Sequence, residues 1–342
     1  MEFNFDYFAE LEPQKYYENK DMTPNAIAKR EAMLNNKENN YIISEKHDGE
    51  WSMSIITPTR ILVRSRSRGV NGNFGDFTDK IPHITAELKL LPPNTIILGE
   101  LCYLDYSKTS KDVGSILRCL TPKAIARQED EAMKLHLVVF DCLCENGISY
   151  MDKTYAERIA RASIVINGSL KTPNNFKYIQ MTKWTTNGDF NKFVGDIWDA
   201  GGEGSVIQRM DSKYAPGTRP SWQSLKVKKH ISDIEVQVTA VNAPTREYSG
   251  LAPEGWPYKD PDGTLVTKYW YNNWAGGIIV DYKGKAISIS SGLSDEDRQW
   301  LVTDEAREMI KQGKLIAVIG AMEETKDSLR HPIVQRLRTD AK

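Results

Sequence analysis

Short apolar or alternating runs separated by polar turns dominate the first two thirds of the chain. Helical spacing interrupts them in KTYAERIARASIV, in FNKFVGDIWDA and in TPKAIARQEDEAMK, where Thr121 and Pro122 suit an N-cap followed by the first helical residue. Strands in the majority, with helices between them, predict an α+β domain. The predicted strands are YIIS (41–44), WSMSII (51–56), ILVRS (61–65), TIILGEL (95–101), LHLVVFDCL (135–143) and GSVIQ (204–208).

The pattern changes near Ser232, where we place a domain boundary, so the expected domains are 1–232 and 233–342. Beyond the boundary, VQVTAV, GGIIVDY, KAISIS and KLIAVIG predict short strands. The run SDEDRQWLVTDEAREMIKQG predicts one helix with Ser294 as N-cap and an end at Gly313. Four or five strands and one helix in about 110 residues predict a small β-barrel of the OB type.

Composition and charge describe a globular protein of 342 residues without a strong excess of either charge. The formal net charge of −1 leans slightly against a nucleic-acid partner, although 45 Lys and Arg residues are enough for a local basic face. No apolar run reaches the length of about 18 residues that a membrane span needs. The acidic N-terminus lacks a signal-peptide core, so we expect a cytoplasmic protein with no membrane partner.

The four cysteines form neither a CxxC pair nor a His–Cys cluster. A zinc site is therefore disfavoured, and reduced thiols are the better interpretation. The residues are Cys102, Cys119, Cys142 and Cys144.

A lysine at the end of an apolar strand is the first candidate for chemistry. Lys46 lies in the peptide Glu45-Lys46-His47-Asp48-Gly49, whose Asp-Gly step predicts a tight turn. Its side chain should point from a rigid strand end into the cleft that the turn borders. Alone, such a peptide is more typical of a hairpin turn than of a catalytic site.

Further peptides follow Lys46 in a fixed order. They are Gly99-Glu100-Leu101, Val139-Phe140-Asp141, Gly202-Glu203-Gly204, Ser224-Leu225-Lys226-Val227-Lys228-Lys229, and Arg330-His331-Pro332 with Arg336, Arg338 and Asp340. The series resembles the covalent nucleotidyltransferase superfamily of DNA ligases, RNA ligases and mRNA capping enzymes. Each motif is weak alone, but the ordered set extends over nearly the whole chain and is specific.

Within that superfamily, the peptides SLRHPIVQRLRTD and SGLSDEDRQWL make the chain similar to compact two-domain ATP-dependent DNA ligases of bacteriophages and viruses. The resemblance implies an adenylation (nucleotidyltransferase) domain with antiparallel sheets and helices, followed by an OB-fold domain. It implies that Lys46 attacks ATP, that AMP passes to the 5′-phosphate of a nick, and that the 3′-hydroxyl then displaces AMP. The implied partner is nicked duplex DNA, in repair, replication and recombination, and we expect a monomer.

The resemblance also assigns roles to single side chains. Glu100 and Glu203 would bind Mg²⁺ or Mn²⁺, and Glu100 is alternatively a ribose ligand. Phe140 would stack on adenine. The nucleotide site would further contain Glu45, Arg66, Arg68, Arg330, Arg336 and Arg338, in addition to the catalytic residues Lys46, Lys226 and Lys228.

The implied arginines belong to two groups. Arg66 and Arg68 alternate with serines and should share a face of their strand, and one of them would contact the nucleotide or the nick phosphate. The C-terminal three would orient the pyrophosphate leaving group, because the guanidinium fork binds phosphate oxygens in pairs.

Lys226 and Lys228 are two residues apart and should share a face of their strand. If that face borders Lys46, their charges should lower the pKa of Lys46 from its usual value of about 10.4. A lowered pKa would favour the neutral, nucleophilic amine. The same two lysines would offset charge that develops on the α-phosphate.

Three positions depart from the family pattern, and three other functions stay open. Trp51 stands where most DNA ligases have arginine, a contact that Arg64 or Arg66 could supply. Leu98 replaces the usual aspartate, and Gln208 replaces the usual lysine. The alternatives are an RNA ligase, a GTP-dependent capping enzyme, and a non-catalytic OB-fold protein that binds nucleic acid.

Overall fold

A computed structural model describes residues 3–16, 24–169, 172–228, 231–248, 255–321, 323–325, 328–330 and 332–339. The chain divides into two units, Met1–Lys228 and Lys229–Lys342. Within the described ranges, no helix is long and apolar enough to cross a membrane.

The first unit consists of strands with helices between them. Its strands are β1 (Tyr41–Lys46), β2 (Gly49–Ile56), β3 (Ile61–Arg68), β4 (Phe74–Asp76), β5 (Thr95–Cys102), β6 (His136–Glu145), β7 (Ile148–Ser149), β8 (Gly168–Ser169), β9 (Thr172–Pro173), β10 (Ile179–Met181), β11 (Trp184–Thr185), β12 (Gly204–Arg209) and β13 (Ser224–Lys228). Its α-helices are α1 (Phe5–Glu10), α2 (Pro24–Asn35), α3 (Pro82–Leu88), α4 (Ser110–Leu117), α5 (Thr121–Arg127), α6 (Tyr155–Asn167) and α7 (Phe190–Asp199). All six strands predicted from the apolar runs are present, which confirms the α+β prediction.

Two sheets position the site in this unit. The first has the strand order β11-β1-β12-β13 and is antiparallel throughout. The second has the order β10-β6-β5-β2-β3-β4, with β7 also paired to β6, and only its β10–β6 pair is parallel. Helices α3, α4 and α6 pack apolar side chains such as Leu88, Ile116 and Ala162 against Leu101 and Val139 of this sheet.

Strand β2 shows why its sequence does not alternate cleanly. It lies between β3 and β5, with side chains packed on both faces of the sheet. Met53 and Ile55 are therefore buried, but so are Ser52 and Ser54. The hydroxyl of Ser52 donates a hydrogen bond to the backbone oxygen of Gly99 on β5, which offsets the cost of burying it.

Helix α5 differs from the prediction at both ends. Leu120 is its N-cap and Pro122 its second residue, so the predicted N-cap at Thr121 is wrong by one position. The helix ends at Arg127 and does not continue to residue 134. The side chain of Gln128 donates to the backbone oxygen of Ala124 and so satisfies one carbonyl at the helix end. A separate 3-10 helix follows at Glu131–Met133.

The second unit contains a five-stranded antiparallel sheet of order β16-β15-β14-β17-β20 and a separate β18–β19 hairpin. Its strands are β14 (Ile231–Asn242), β15 (Gly277–Tyr282), β16 (Lys285–Ile289), β17 (Ile316–Ala321), β18 (Glu323–Thr325), β19 (Ser328–Arg330) and β20 (Ile333–Arg338). Its helices are α8 (Lys268–Tyr271), α9 (Asp295–Trp300) and α10 (Asp304–Lys311). Val238, Ile278, Val280 and Ile319 are fully buried in its core.

The predicted single helix from Ser294 to Gly313 is wrong, because the structure has two helices there. Ser294 does cap α9 in a capping box, but α9 ends at Trp300. Thr303 then caps α10, since its hydroxyl accepts a hydrogen bond from the backbone N–H of Ala306. A threonine at that position offers the chain a second helix start, which competes with continuation of the first.

Candidate active site

Strand β1 ends at Lys46, opposite the start of β12. Lys46 pairs with Gly204 in the antiparallel register, so Glu203 lies beside the lysine side chain. The Nζ atom of Lys46 donates to Oε2 of Glu203 at 2.5 Å. The Nζ atom of Lys228, at the end of β13, lies 3.6 Å from Oε1 of the same carboxylate. The ends of β1 and β13 and the start of β12 thus bring the ammonium groups of Lys46 and Lys228 next to the carboxylate of Glu203.

Gly204 makes this arrangement possible. Its φ angle of +144° lies in a region that other residues rarely adopt. A Cβ atom at this position would lie 2.1 Å from the backbone oxygen of Val227. Glycine therefore lets β12 and β13 approach closely where Glu203 meets Lys46 and Lys228.

A cavity of about 250 Å³ lies beside Lys46. It receives side chains from the two larger sheets of the first unit, which explains why residues far apart in sequence meet there. Six of the predicted site residues line it, namely Glu45, Lys46, Arg66, Glu100, Phe140 and Lys226. The cavity therefore collects the predicted nucleophile, a carboxylate, an aromatic ring and further cations in one place.

The predicted lowering of the Lys46 pKa is wrong for this structure. Burial does lower the pKa of Lys46, but the charge of Glu203 raises it, followed by that of Glu100, and the net pKa is above the usual value. The prediction failed because it placed cations, but not carboxylates, next to the amine. The hydrogen bond to Glu203 adds to the same effect.

Glu100 lies on β5 at the edge of the cavity. Burial raises the pKa of Glu100 to about 7, and the carboxylates of Glu203 and Glu50 add to that increase. Lys46 opposes the shift. Burial therefore disfavours the charged form of Glu100, and a nearby cation such as Lys46 stabilises that form.

Glu100 and Glu203 are the residues that could hold a divalent metal. Across the part of the chain that the structure describes, no cluster of three or more His, Cys, Asp or Glu side chains is arranged as a complete metal site. Mg²⁺ is commonly bound by one or two carboxylates, with phosphate oxygens and water as its other ligands. Two carboxylates beside a cavity of this kind fit that pattern.

Glu45 has partners inside the protein. The phenol of Tyr106 donates to Oε1 of Glu45 at 2.5 Å, and Nδ1 of His47 lies 3.7 Å from the same oxygen. Nζ of Lys183 lies 3.7 Å from Oε2. Sequence reasoning missed Tyr106, because it is 61 residues away and no motif marks it. These contacts fix the strand end immediately before Lys46.

The structure separates the arginines of β3. Arg66 lines the cavity. Arg68 pairs with Glu10 and Glu12 and stacks on Phe74, so it is held by other partners. The two arginines thus have different partners, and the β3–β4 register shifts between Arg64 and Arg68.

Trp51, which replaces the usual arginine, is buried and also lines the cavity. Of the two arginines that could compensate, Arg64 is fully buried and donates to the backbone oxygens of Phe8 and Leu11. Arg66 is therefore the arginine that borders the cavity beside Trp51.

The C-terminal arginines belong to the second unit. Arg336 and Arg338 lie on β20, and Nη1 of Arg338 pairs with Glu235 of β14. Arg330 ends β19, and its side chain lies outside the described residues. The same holds for His331 and Asp340. The residues that line the cavity, from Tyr16 to Lys226, all belong to the first unit.

Further residues without a predicted role also line the cavity, among them Tyr16, Tyr155 and Gln208. Tyr16 precedes the first sheet, Tyr155 begins α6, and Gln208 lies on β12. Both tyrosine phenols have a pKa above the usual value, first because they are buried and then because Asp141 is near. No local signal in the sequence marks the two tyrosines, since each reaches the cavity only through the tertiary fold.

Comparison with known proteins identifies the family of the first unit. Residues 22–228, more than half of the chain, match the family described as ATP dependent DNA ligase domain. The chain therefore belongs to the ATP-dependent DNA ligase domain family. It is 26% identical over 196 residues to a DNA ligase of Thermococcus fumicolans, covering 56% of this chain and 33% of that protein. It is 28% identical over 203 residues to DNA ligase 1 of Korarchaeum cryptofilum, covering 59% and 32%. The chain spans about a third of the length of these curated relatives.

Solved structures show the same fold. A Lig E DNA ligase structure aligns with a TM-score of 0.57 at 17% identity and covers 87% of this chain and 93% of its own. The ligase domain of M. tuberculosis LigD aligns with a TM-score of 0.50 at 19% identity and covers 98% and 97%. The mixed α/β architecture with antiparallel sheets is thus shared with these two ligase structures.

Proposed function

We propose that this chain is an ATP-dependent DNA ligase that carries AMP covalently on Lys46. The observation that supports this most directly is that Lys46 and Glu100 line one cavity while Glu203 pairs with the amine of Lys46, in a chain that belongs to the ligase domain family. The amine of Lys46 attacks the α-phosphate of ATP, a P–N bond forms, and the bond to pyrophosphate breaks. AMP then passes to the 5′-phosphate of a nick, and the 3′-hydroxyl displaces it to form the phosphodiester.

Several cavity residues have a part in the first step. Phe140 and Val206 both line the cavity and supply apolar surface for the adenine ring. Lys226 borders the same cavity and, with Arg66, places positive charge near the phosphates. Attack requires the neutral amine of Lys46, which the ion pair with Glu203 opposes. A divalent cation on Glu100 and Glu203 would compete with the ammonium for Glu203 and offset phosphate charge.

The second unit supplies the remaining parts of the proposal. Its five-stranded antiparallel sheet with a separate hairpin suits an OB-type domain. Arg330, Arg336 and Arg338 would orient pyrophosphate as it leaves. We assign residues up to about Ser232 to the adenylation domain and the rest to the OB-type domain. Nicked duplex DNA is the proposed acceptor, and a monomer the proposed state.

Self-labelling with α-labelled ATP and Mg²⁺ tests the proposal. We expect the wild type to acquire an acid-labile label and the Lys46→Met variant to acquire none, because the side chain no longer carries a nucleophile. Lys123→Met is the matched control, since Lys123 is exposed on α5 and does not line the cavity among the described residues. Label on Lys46→Met, or none on the wild type, would contradict the proposal.

Sealing assays then test the acceptor. Nicked DNA should be joined by the wild type with ATP, and not by Lys46→Met. A nick that already carries AMP on its 5′-phosphate should still be joined by Lys46→Met, because that step does not use the amine. Preferential joining of nicked RNA would instead favour an RNA ligase.

A further inference from the structure

Gln208 has a polar side chain at the cavity, and this side chain has no part in the adenylation steps proposed above for Lys46. It lies on β12, is only 2% exposed, and lines the cavity. Its Nε2 atom donates to the hydroxyl of Ser212 at 3.2 Å. Its Oε1 atom is buried without a hydrogen-bond partner in the described part of the chain. An unpaired buried carbonyl oxygen is costly, so a polar ligand group is the natural partner for it.

The hydroxyl of Ser212 determines which end of the Gln208 side-chain amide has no hydrogen-bond partner. That hydroxyl donates its only hydrogen to the backbone oxygen of Arg209 at 2.8 Å. It can therefore only accept from Gln208, which fixes the NH₂ group towards Ser212. The oxygen is then the end that stays unpaired, so Gln208 offers an acceptor.

Gln208 lies at the end of the cavity remote from the nucleophile. Lys46 is opposite Gly204, and Gln208 is four residues further along β12, roughly 13 Å at the rise of an extended strand. Val206, between them, shares a strand face with Gln208 and lines the cavity together with Phe140. A base held between Phe140 and Val206 would turn an edge towards Gln208 while its phosphates lie near Lys46.

We propose that Gln208 selects adenine over guanine by accepting a hydrogen bond from the exocyclic amino group of the base. This inference rests on the proposed function, in which a nucleotide is transferred to Lys46. Adenine presents an N–H donor at the position where guanine presents a carbonyl oxygen. Guanine would therefore place two acceptors against each other in a buried site, and neither could be satisfied.

Equilibrium binding of ATP and GTP without divalent metal tests the proposal directly, with titration calorimetry as the readout. Gln208→Met keeps the side-chain length and removes the acceptor. We expect the affinity for ATP to fall about tenfold and that for GTP to change little, the scale of one buried hydrogen bond. Gln180→Met is the matched control, because Gln180 is exposed on β10 and lies outside this cavity.

A second variant tests the orientation of the amide. Ser212→Ala leaves Gln208 in place but removes the group that fixes its NH₂ end, so the amide can turn and donate to guanine. We expect the preference for ATP over GTP to shrink, with a gain in GTP binding that Gln208→Met does not show. Equal melting temperatures of the variants and the wild type would establish that the fold is retained.

The outcomes separate this inference from the proposed function. If the wild type neither binds ATP nor labels itself, the proposed function fails. If the wild type labels itself with ATP but Gln208→Met keeps the wild-type ratio of ATP to GTP affinity, the role of Gln208 is refuted and the ligase assignment stands. A fallen ratio in Gln208→Met, with an unchanged ratio in Gln180→Met, supports the role of Gln208.

Discussion

The buried ion pair between Asp141 and Arg158 supports one wall of the candidate site. The side chain of Arg158 is 0% exposed and that of Asp141 is 1% exposed. Nε of Arg158 lies 2.9 Å from Oδ1 of Asp141, and Nη2 lies 3.2 Å from Oδ2. Asp141 follows Phe140 on β6, and Nη1 of Arg158 donates to the backbone oxygen of Ser212 at 3.2 Å.

Substitution of Asp141 by Asn preserves the shape of the side chain and removes its charge. The guanidinium of Arg158 is then buried without a counter-ion, and one amide hydrogen faces a donor in place of an acceptor. Breaking a buried pair in this way costs about 3–5 kcal/mol of unfolding free energy. For a unit of this size that corresponds to a fall in Tm of roughly 6–20 °C.

Thermal unfolding followed by circular dichroism measures the effect. Asp152→Asn is the matched control, because Asp152 is exposed just before α6 and should change the unfolding free energy by less than about 0.5 kcal/mol. Replacing the pair together, as Asp141→Leu with Arg158→Met, should cost less than Asp141→Asn alone, since no charge is left buried. Equal Tm values for Asp141→Asn and Asp152→Asn would refute the reasoning.

Two further substitutions test the site. Arg66→Ala should lower self-labelling about tenfold or more, the scale of one lost charge-assisted hydrogen bond. Arg68→Ala should leave labelling within about twofold, because carboxylates outside the cavity hold its guanidinium. Equal losses of labelling in the two variants would contradict the different surroundings of these arginines. Gly204→Ala should destabilise the first unit by about 1–3 kcal/mol, because the added methyl group would meet the backbone oxygen of Val227 at a positive φ. Its urea midpoint should fall relative to Gly147→Ala, a glycine whose φ is also positive but which has open space around it, and equal midpoints would argue against the close approach.

The strands were predictable because their apolar runs are long and are bounded by turns. The helices were harder, since their ends depend on single side chains. The run from Ser294 contains Thr303, which caps a new helix, and α5 ends where Gln128 takes over a carbonyl. A helix cap of this kind contributes only a few tenths to about two kcal/mol of stabilising free energy. A pattern of hydrophobic positions does not reveal a difference of this size.

The sequence predicted those residues of the candidate site that belong to the ordered series of motifs. Lys46, Glu100 and Lys226 could be grouped by resemblance, and the structure places all three at one cavity. Tyr16 and Tyr155 could not be grouped, because only the packing of distant segments brings them there. The direction of the pKa shift of Lys46 could not be predicted from the sequence either. It depends on Glu203, which is 157 residues away and whose Oε2 atom lies 2.5 Å from Nζ of Lys46.

The pairing of β1 with β12 has a consequence for how this chain tolerates insertions. Six residue pairs, from Tyr41 with Arg209 to Lys46 with Gly204, hold β1, which ends at Lys46, against β12, which begins directly after Glu203. Extra residues in an exposed loop between β2 and β11 would leave that pairing intact. One extra residue inside β12 would turn every following side chain to the other face and draw Gln208 out of the cavity. Changes of length should therefore accumulate in the connecting loops of related sequences and be absent from these six pairs.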